Sequence, residues 1–388
     1  MGVSSGKSVH AGHCNGAGRR HDPRKTPRQW HPGPTQIRNC LIAVLLWLAA
    51  LSAAAEPLRI ATYNVEMNRA GPGLLLRDLQ KGDDPAIVAA AQVIVALKAD
   101  VLLLTGFDYD LDQVALSTFA DQLALAGLSY PYRFSLRPNT GMPTGLDLDG
   151  DGKLGGPGDA QGWGRFSGTG GMAVLSRLPI LENDVRDFSE FLWRDLPGAL
   201  LFDGMTPEAM AVQRLSTTGH WDVPIALPGG GALHLLAWYA TPPVFDGPED
   251  RNGRRNHDEA AFWGALLDGD LQVPAPAPPF IVLGDGNLDP VDGDGRSDAI
   301  LELIRHPNLQ KPSPRGRFFP ENVDNSGDTA DFSAKNGPGG LQVDYVLPSR
   351  DLQVVGAGVL WPDRSDPMAD VLATASRHRP VWVDIELP

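Results

Sequence analysis

The densest chemistry in this 388-residue chain lies in the run Phe280-Ile-Val-Leu-Gly-Asp-Gly-Asn-Leu-Asp289. Asp285 and Asn287 are two apart, so an extended backbone through both would aim them to one side. A carboxylate beside an amide suits activation of water and hydrogen bonding to charge that develops in a transition state. Taken alone, the pair is equally a strand ending in a polar turn. Asp147-Leu-Asp149-Gly-Asp151-Gly152 has the first half of a calcium-loop spacing, with Gly158 where the closing glutamate belongs and Asp159 one later. Calcium there would be structural, tying down a glycine-rich loop over residues 139–171. Arg254 and Arg255, with His257 and Glu259, follow a polar loop; they could hold phosphate or form a solvated helix start. His220 and Asp222 flank Trp221 and suggest one polar face. Asp289, Asp292, Asp294 and Asp298 form an acidic loop open to the same two readings, solvation or a second calcium.

The elements around these residues set where they can point. The apolar run 280–283 predicts a buried strand, turned tightly by Gly284 and Gly286. Residues 58–64 alternate and are β-rich, and residues 100–105 predict a second buried strand. Residues 84–98 have helical spacing with Asp83 and Asp84 near the start, and residues 111–128 predict another helix ended by Gly127. Helices covering a sheet follow from this β-α-β-α opening. Later strands are expected at 172–176, 213–217, 223–227, 232–239, 341–347 and 381–387, with helices at 256–267 and 298–304. Strands spread along the chain with helices between them favour a single domain over residues 56–388.

Composition narrows the classes. Seven basic residues precede Leu41 (Lys7, Arg19, Arg20, Arg24, Lys25, Arg28 and Arg38), against one acid, Asp22. An apolar run over 41–52 and Ala53-Ala-Ala55 follow, which together read as a secretory signal with a long basic n-region over residues 1–55. The run is shorter than the roughly 20 residues needed to span a bilayer. The protein is therefore expected to be secreted or periplasmic, with no membrane attachment after cleavage and no obligate protein partner. Losing those seven bases and one acid would move the net charge from −14 to −20. No overall field then attracts nucleic acid or anionic lipid, although a local basic cleft is compatible with that total. Both cysteines, Cys14 and Cys40, lie in the leader, so the mature chain has no thiol or disulfide chemistry.

Five separated pieces align with one superfamily. They are Ala61-Thr-Tyr-Asn-Val-Glu66, Leu235-Leu-Ala-Trp-Tyr239, Gly284-Asp-Gly-Asn287, Val343-Asp-Tyr-Val-Leu347 and Ser376-Arg-His-Arg-Pro380. Together they resemble the endonuclease/exonuclease/phosphatase superfamily of DNase I-like nucleases, AP endonucleases and inositol-phosphate phosphatases. The stretches Gly145–Gly152, Gly171–Arg177, His220–Pro224 and Thr241–Glu259 are similar to an exported bacterial branch of it. The resemblance implies an α/β fold, a four-layer DNase I-like sandwich of two mixed β-sheets flanked by helices. It implies a phosphoesterase acting on a phosphorylated small molecule or nucleic acid, with magnesium or manganese as the divalent metal. Carried over, Asp285 would orient or deprotonate water, and Asn287 would hold a phosphate oxygen. His378, oriented by Asp344, would stabilise charge on phosphorus oxygens. Asn64 would sit beside the metal, and Tyr239 falls where DNase I-like members have histidine and AP endonuclease-like members have tyrosine.

Two metal positions depart from the pattern. Gly106 stands where the superfamily has its main metal-binding glutamate, and Arg377 stands for the aspartate of Ser-Asp-His. Two negative charges are lost and one positive charge is gained. Three explanations follow. Glu66 and Asp108 could supply replacement metal carboxylates; Arg377 could take the ion's place on phosphate through its guanidinium fork; or hydrolysis is lost, leaving a phosphate- or polyanion-binding pseudoenzyme.

Overall fold

In a computed structural model, residues 56–316, 327–333 and 337–386 are described. The expected leader, residues 1–55, lies outside them, and no helix among them is long and apolar enough to cross a membrane. β1 (Leu58–Met67) shows how the architecture is built. Leu58 and Ile60 enter one apolar core while Ala61, Tyr63 and Val65 enter another, because successive strand side chains leave opposite faces.

β1 belongs to a sheet with β2 (Val101–Phe107), β3 (Tyr132–Phe134), β4 (Gly171–Ser176), β12 (Gln353–Val359) and β13 (Val381–Glu386), ordered β12-β13-β1-β2-β4-β3. The second sheet contains β5 (Arg186–Asp187), β6 (Gly219–Ala226), β7 (Ala232–Tyr239), β8 (Phe280–Asp285) and β11 (Asp344–Pro348), ordered β11-β8-β7-β6-β5. A short ribbon pairs β9 (Ala330–Asp331) with β10 (Gly340–Leu341). Both sheets are mixed: β1–β2 and β7–β8 run parallel among antiparallel neighbours.

Three buried cores make four layers. Ile60, Leu103 and Val174 of the first sheet meet Trp221, Leu235, Ile281 and Val346 of the second. The first sheet's outer face is covered by α1 (Leu74–Lys81), α2 (Pro85–Leu97), α3 (Val114–Leu125) and α7 (Pro367–Ala375). The second sheet's outer face is covered by α4 (Pro207–Val212), α5 (Arg251–Asp268) and α6 (Asp298–Ile304). This is the helix–sheet–sheet–helix arrangement expected from the resemblance.

Several local expectations change. Residues 213–217 are irregular, with Arg214 in one isolated bridge to Leu192; their carbonyls are bound by the Arg255 guanidinium instead of a ladder. The helix expected at 111–128 begins at Val114, because the Asp110 carboxylate caps Val114 and Ala115 and leaves Leu111 exposed. The helix expected from 256 begins at Arg251. The strand expected at 341–347 is split between β10 and β11.

Candidate active site at the strand tips

The functional residues continue the rows of the core. Along β1 the inward row runs Ile60, Thr62, Asn64; along β7 it runs Leu235, Ala237, Tyr239; along β8 it runs Ile281, Leu283, Asp285. β11 contributes Val346 and Asp344 to the same side. A row that is apolar between the sheets thus turns polar at its last position. Asp285 lies opposite Tyr239 in β7 and opposite Asp344 in β11, so sheet register fixes their spacing. His378 arrives from the segment before β13. Residues 377–379 run beside the β9 segment: Asp331 N–H donates to the Arg377 carbonyl, Arg379 N–H donates to that of Thr329, and Ala330 bridges His378.

Side chains then close a network. Asn64 Nδ2 donates to Asp285 Oδ2 at 2.8 Å and lies 3.3 Å from the Tyr239 hydroxyl. His378 Nδ1 is 2.9 Å from Asp344 Oδ2 and 3.9 Å from Asp285 Oδ2. Asn64, Asp285, Asp344 and His378 are all buried. Burial pushes the Asp285 carboxyl up, and Asp344 pushes it further; His378, Asn64 and the Asn287 amide oppose this. Burial disfavours an imidazolium at His378, but Asp344 and Asp285 outweigh it and raise its pKa to about 9. The ring is therefore positively charged at neutral pH in this arrangement.

One ligand atom from each of Asp285, Asp344 and His378 lies within 4.8 Å of the others. Asp344 Oδ1 is buried with no hydrogen-bond partner. Two buried carboxylates, one of them with an unsatisfied oxygen, fit a divalent cation. The carboxylates expected to replace the missing metal ligands do not join this group. Glu66 accepts from Arg377 N–H at 2.8 Å and Nε at 2.7 Å, and also from Nη2. Burial acts against the Glu66 charge, yet these donors hold its carboxyl below the usual range. Asp108 accepts from Arg69 N–H and Gly170 N–H at 2.8 Å each. The expectation that Glu66 and Asp108 serve the metal is corrected on this ground: protein donors already occupy their oxygens. Gly106 adopts φ 69°, and a Cβ there would lie 2.4 Å from Asn64 Oδ1. The backbone itself closes the place of a glutamate.

Other expected positions fall as follows. The extended backbone stops at Asp285; Asn287 has φ 48° and donates its side-chain amide to the Ala240 carbonyl at 2.9 Å. Its backbone N–H, not its side chain, reaches Asp285 Oδ1. Arg255 is buried, bonding the Leu215, Arg214 and Ser216 carbonyls, so it is corrected from phosphate ligand to internal brace. Arg254 lies against the Glu249 and Leu201 carbonyls. Asp147, Asp149 and Asp151 come together but are exposed. His220 is buried against Phe262 and Trp263, with Ser216 Oγ and the Glu259 carbonyl at its two ring nitrogens.

Sequence reasoning missed the supports. Asn256 is buried on α5 and donates to the Thr241 and Gly286 carbonyls, while Glu259 accepts from the Thr217 and Thr241 amides. Ser376 Oγ donates to the Asn64 carbonyl and accepts from His378 N–H. Thr329 Oγ1 accepts from Asp344 N–H. The polar start of α5 was the available signal for the first two.

Comparison with known proteins agrees with this fold. A solved endonuclease/exonuclease/phosphatase from Beutenbergia cavernae DSM 12333 has a TM-score of 0.52 at 19% identity, covering 86% of this chain and 72% of its own. A Bacteroides vulgatus endonuclease/exonuclease/phosphatase gives 0.49 at 13% identity, covering 85% and 99%. A Leptotrichia buccalis C-1013-b protein described as of that family gives 0.48 at 15%, covering 85% and 100%. At these identities the first likeness supports the fold alone. No curated protein matches the sequence. Residues 61–378, which run from the tip-bearing first strand to the histidine of the buried trio, match the Endonuclease/Exonuclease/phosphatase family, and the chain belongs to it.

Proposed function

We propose that the protein is an exported phosphoesterase, active on mono- or diesters in the periplasm or outside the cell. The observation carrying this reading is the convergence of Asn64, Asp285 and Asp344 from three strands, and of His378 from the segment before β13, on one buried cluster with an unsatisfied carboxylate oxygen. Asp285 is the base. Burial and Asp344 make it more basic than an ordinary carboxylate, and Asn64 fixes one of its oxygens. Asp344 holds His378 through Nδ1, which leaves Nε2 to donate to a phosphoryl oxygen as negative charge builds there. Magnesium or manganese held by the Asp285 and Asp344 carboxylates would supply Lewis acidity at the phosphoryl oxygen. The test is turnover of generic mono- and diester substrates with each metal in turn. Activity no higher than that of an Asp285→Ala, His378→Ala double variant would sink the reading.

A second reading, binding of phosphate or a polyanion without turnover, is favoured by the Glu66–Arg377 pair and by Gly106. The same assay separates the two, since a pseudoenzyme gives no excess over the double variant while still binding phosphate.

A further inference from the structure

Glu66 lies where two strands fall out of step. The pairing of β1 with β2 shifts register between Asn64 and Met67, and both strands turn left-handed there, Glu66 at φ 46° and Gly106 at φ 69°. A Cβ at Gly106 would come within 3.2 Å of the Glu66 amide nitrogen, so a glycine on one strand lets a glutamate turn on the other. That turn has two effects. The Glu66 N–H donates to Asn64 Oδ1 at 3.0 Å, and because an N–H can only donate, it fixes the amide with Nδ2 toward Asp285. The Glu66 carboxylate meanwhile meets the segment that carries His378. Its Oε2 accepts from Arg377 N–H at 2.8 Å and lies 3.2 Å from Ser376 Oγ. Its Oε1 accepts from Arg377 Nε at 2.7 Å and also from Nη2. Ser376 Oγ in turn accepts from His378 N–H at 3.0 Å.

An exposed ion pair ordinarily contributes little. This one engages both carboxylate oxygens and includes the backbone of the residue before His378, and the Phe332 ring lies 5.1 Å from the guanidinium carbon. The two departures from the superfamily pattern, Gly106 and Arg377, belong to the same arrangement: one gives Glu66 room and the other gives it a partner. We propose that Glu66 and Arg377 form a latch tying the tip of β1 to the segment before β13, with Glu66 a positioning residue for Asn64 and His378. The catalytic consequence rests on the phosphoesterase reading, whereas the tie itself does not.

The experiment pairs steady-state kinetics with nitrogen-15 spectra of the histidine rings in metal-free protein at one fixed pH. Glu66→Ala and Arg377→Ala should each lower kcat about 10- to 100-fold and leave KM within about twofold, because small misplacement of reacting groups costs turnover more than binding. The double variant should lose no more than either single one, as expected of two residues acting as one unit. Arg377→Lys should keep most of the turnover, since a charged donor and the backbone N–H remain. Glu66→Asp keeps the charge but shortens the reach, and should behave like Glu66→Ala. In the spectra both alanine variants should move the His378 ring resonances in the same sense and leave those of buried His220 in place. Movement in opposite senses would mean that His378 registers only the loss of a neighbouring charge, and it overturns the latch. Parental kcat in both alanine variants, or losses that multiply in the double variant, also overturns it. Should Glu66→Ala melt well below the parent, Arg377→Ala, which keeps the backbone N–H, carries the same comparison with Arg377→Lys. If the parent shows no turnover, the phosphoesterase reading falls and the ring spectra alone decide the latch.

Discussion

Among the described residues, two groups of three acidic or imidazole side chains come close enough to share a cation, and they are held in opposite ways. Asp285, Asp344 and His378 are buried, and sheet register sets their separation. Asp147, Asp149 and Asp151 are exposed on a loop. There Asp147 accepts from the Gly150 and Gly152 amides, Asp149 from Asp151, and Asp151 from Lys153. Loop carboxylates with amide donors and water need nothing more. The buried trio has Asp344 Oδ1 with no partner at all, and desolvation makes such an atom costly. The lesson is that shortage of donors, more than carboxylate count, marks where positive charge is required.

That contrast can be broken most directly by activity. Asp285→Ala should reduce turnover by about 10²–10⁴-fold, whereas Asp149→Ala should leave it nearly unchanged. Steady-state assays decide it, and equal losses in both would erase the distinction. A buried titratable group with only neutral partners extends the comparison. His220 sits between Ser216 Oγ and the Glu259 carbonyl, and burial lowers its pKa from 6.5 to about 4. The unfolded chain then binds the extra proton, so stability is complete above pH 6.5 and is lost as pH falls through 4. The loss should approach ~3 kcal/mol. Denaturant titrations between pH 7 and 4 should show this slope in the parent and a flatter one in His220→Phe.

Smaller effects sharpen the cation argument. Manganese at about 100 times its Kd should stabilise the parent by ~2.7 kcal/mol. Thermal unfolding should show that shift disappearing in Asp344→Asn and persisting in Asp151→Ala; a shift that follows the loop variant would reverse the assignment. Restoring a glutamate at Gly106 should cost about 1–3 kcal/mol, since φ 69° and the Asn64 contact both oppose a side chain. A Gly106→Glu variant with undiminished Tm would show that the bulge relaxes more readily than its geometry indicates.

The strand tips were legible because their residues extend an alternating core. Asp285, Asp344, Asn64, Tyr239 and His378 come together at those tips. The rim was not legible. Glu66 turns toward Arg377 through a left-handed backbone, φ 46°, inside an irregular stretch of β1 pairing, and no period in the sequence announces such a residue. Phe332 follows a strand of two residues, too short to leave a pattern. Arg255 and Glu259 look like part of a solvated helix start, yet the eighteen-residue α5 buries both against the second sheet. Burial by tertiary packing changed the meaning of those charges. α7, in contrast, was readable in retrospect from Asp366 as cap and Pro367 at its first position.

The shared parity of core and tip has a consequence for how this protein can fail. Because Ile281, Leu283 and Asp285 occupy one side of one strand, slipping that strand by a single residue would turn the apolar row and the carboxylate together toward the core beneath the helices. A misregistered chain would therefore lose the site and strand a carboxylate in an apolar core at the same moment, a cost that disfavours the wrong register. Quality control over the chemistry is built into the same alternation that makes the sandwich cohere.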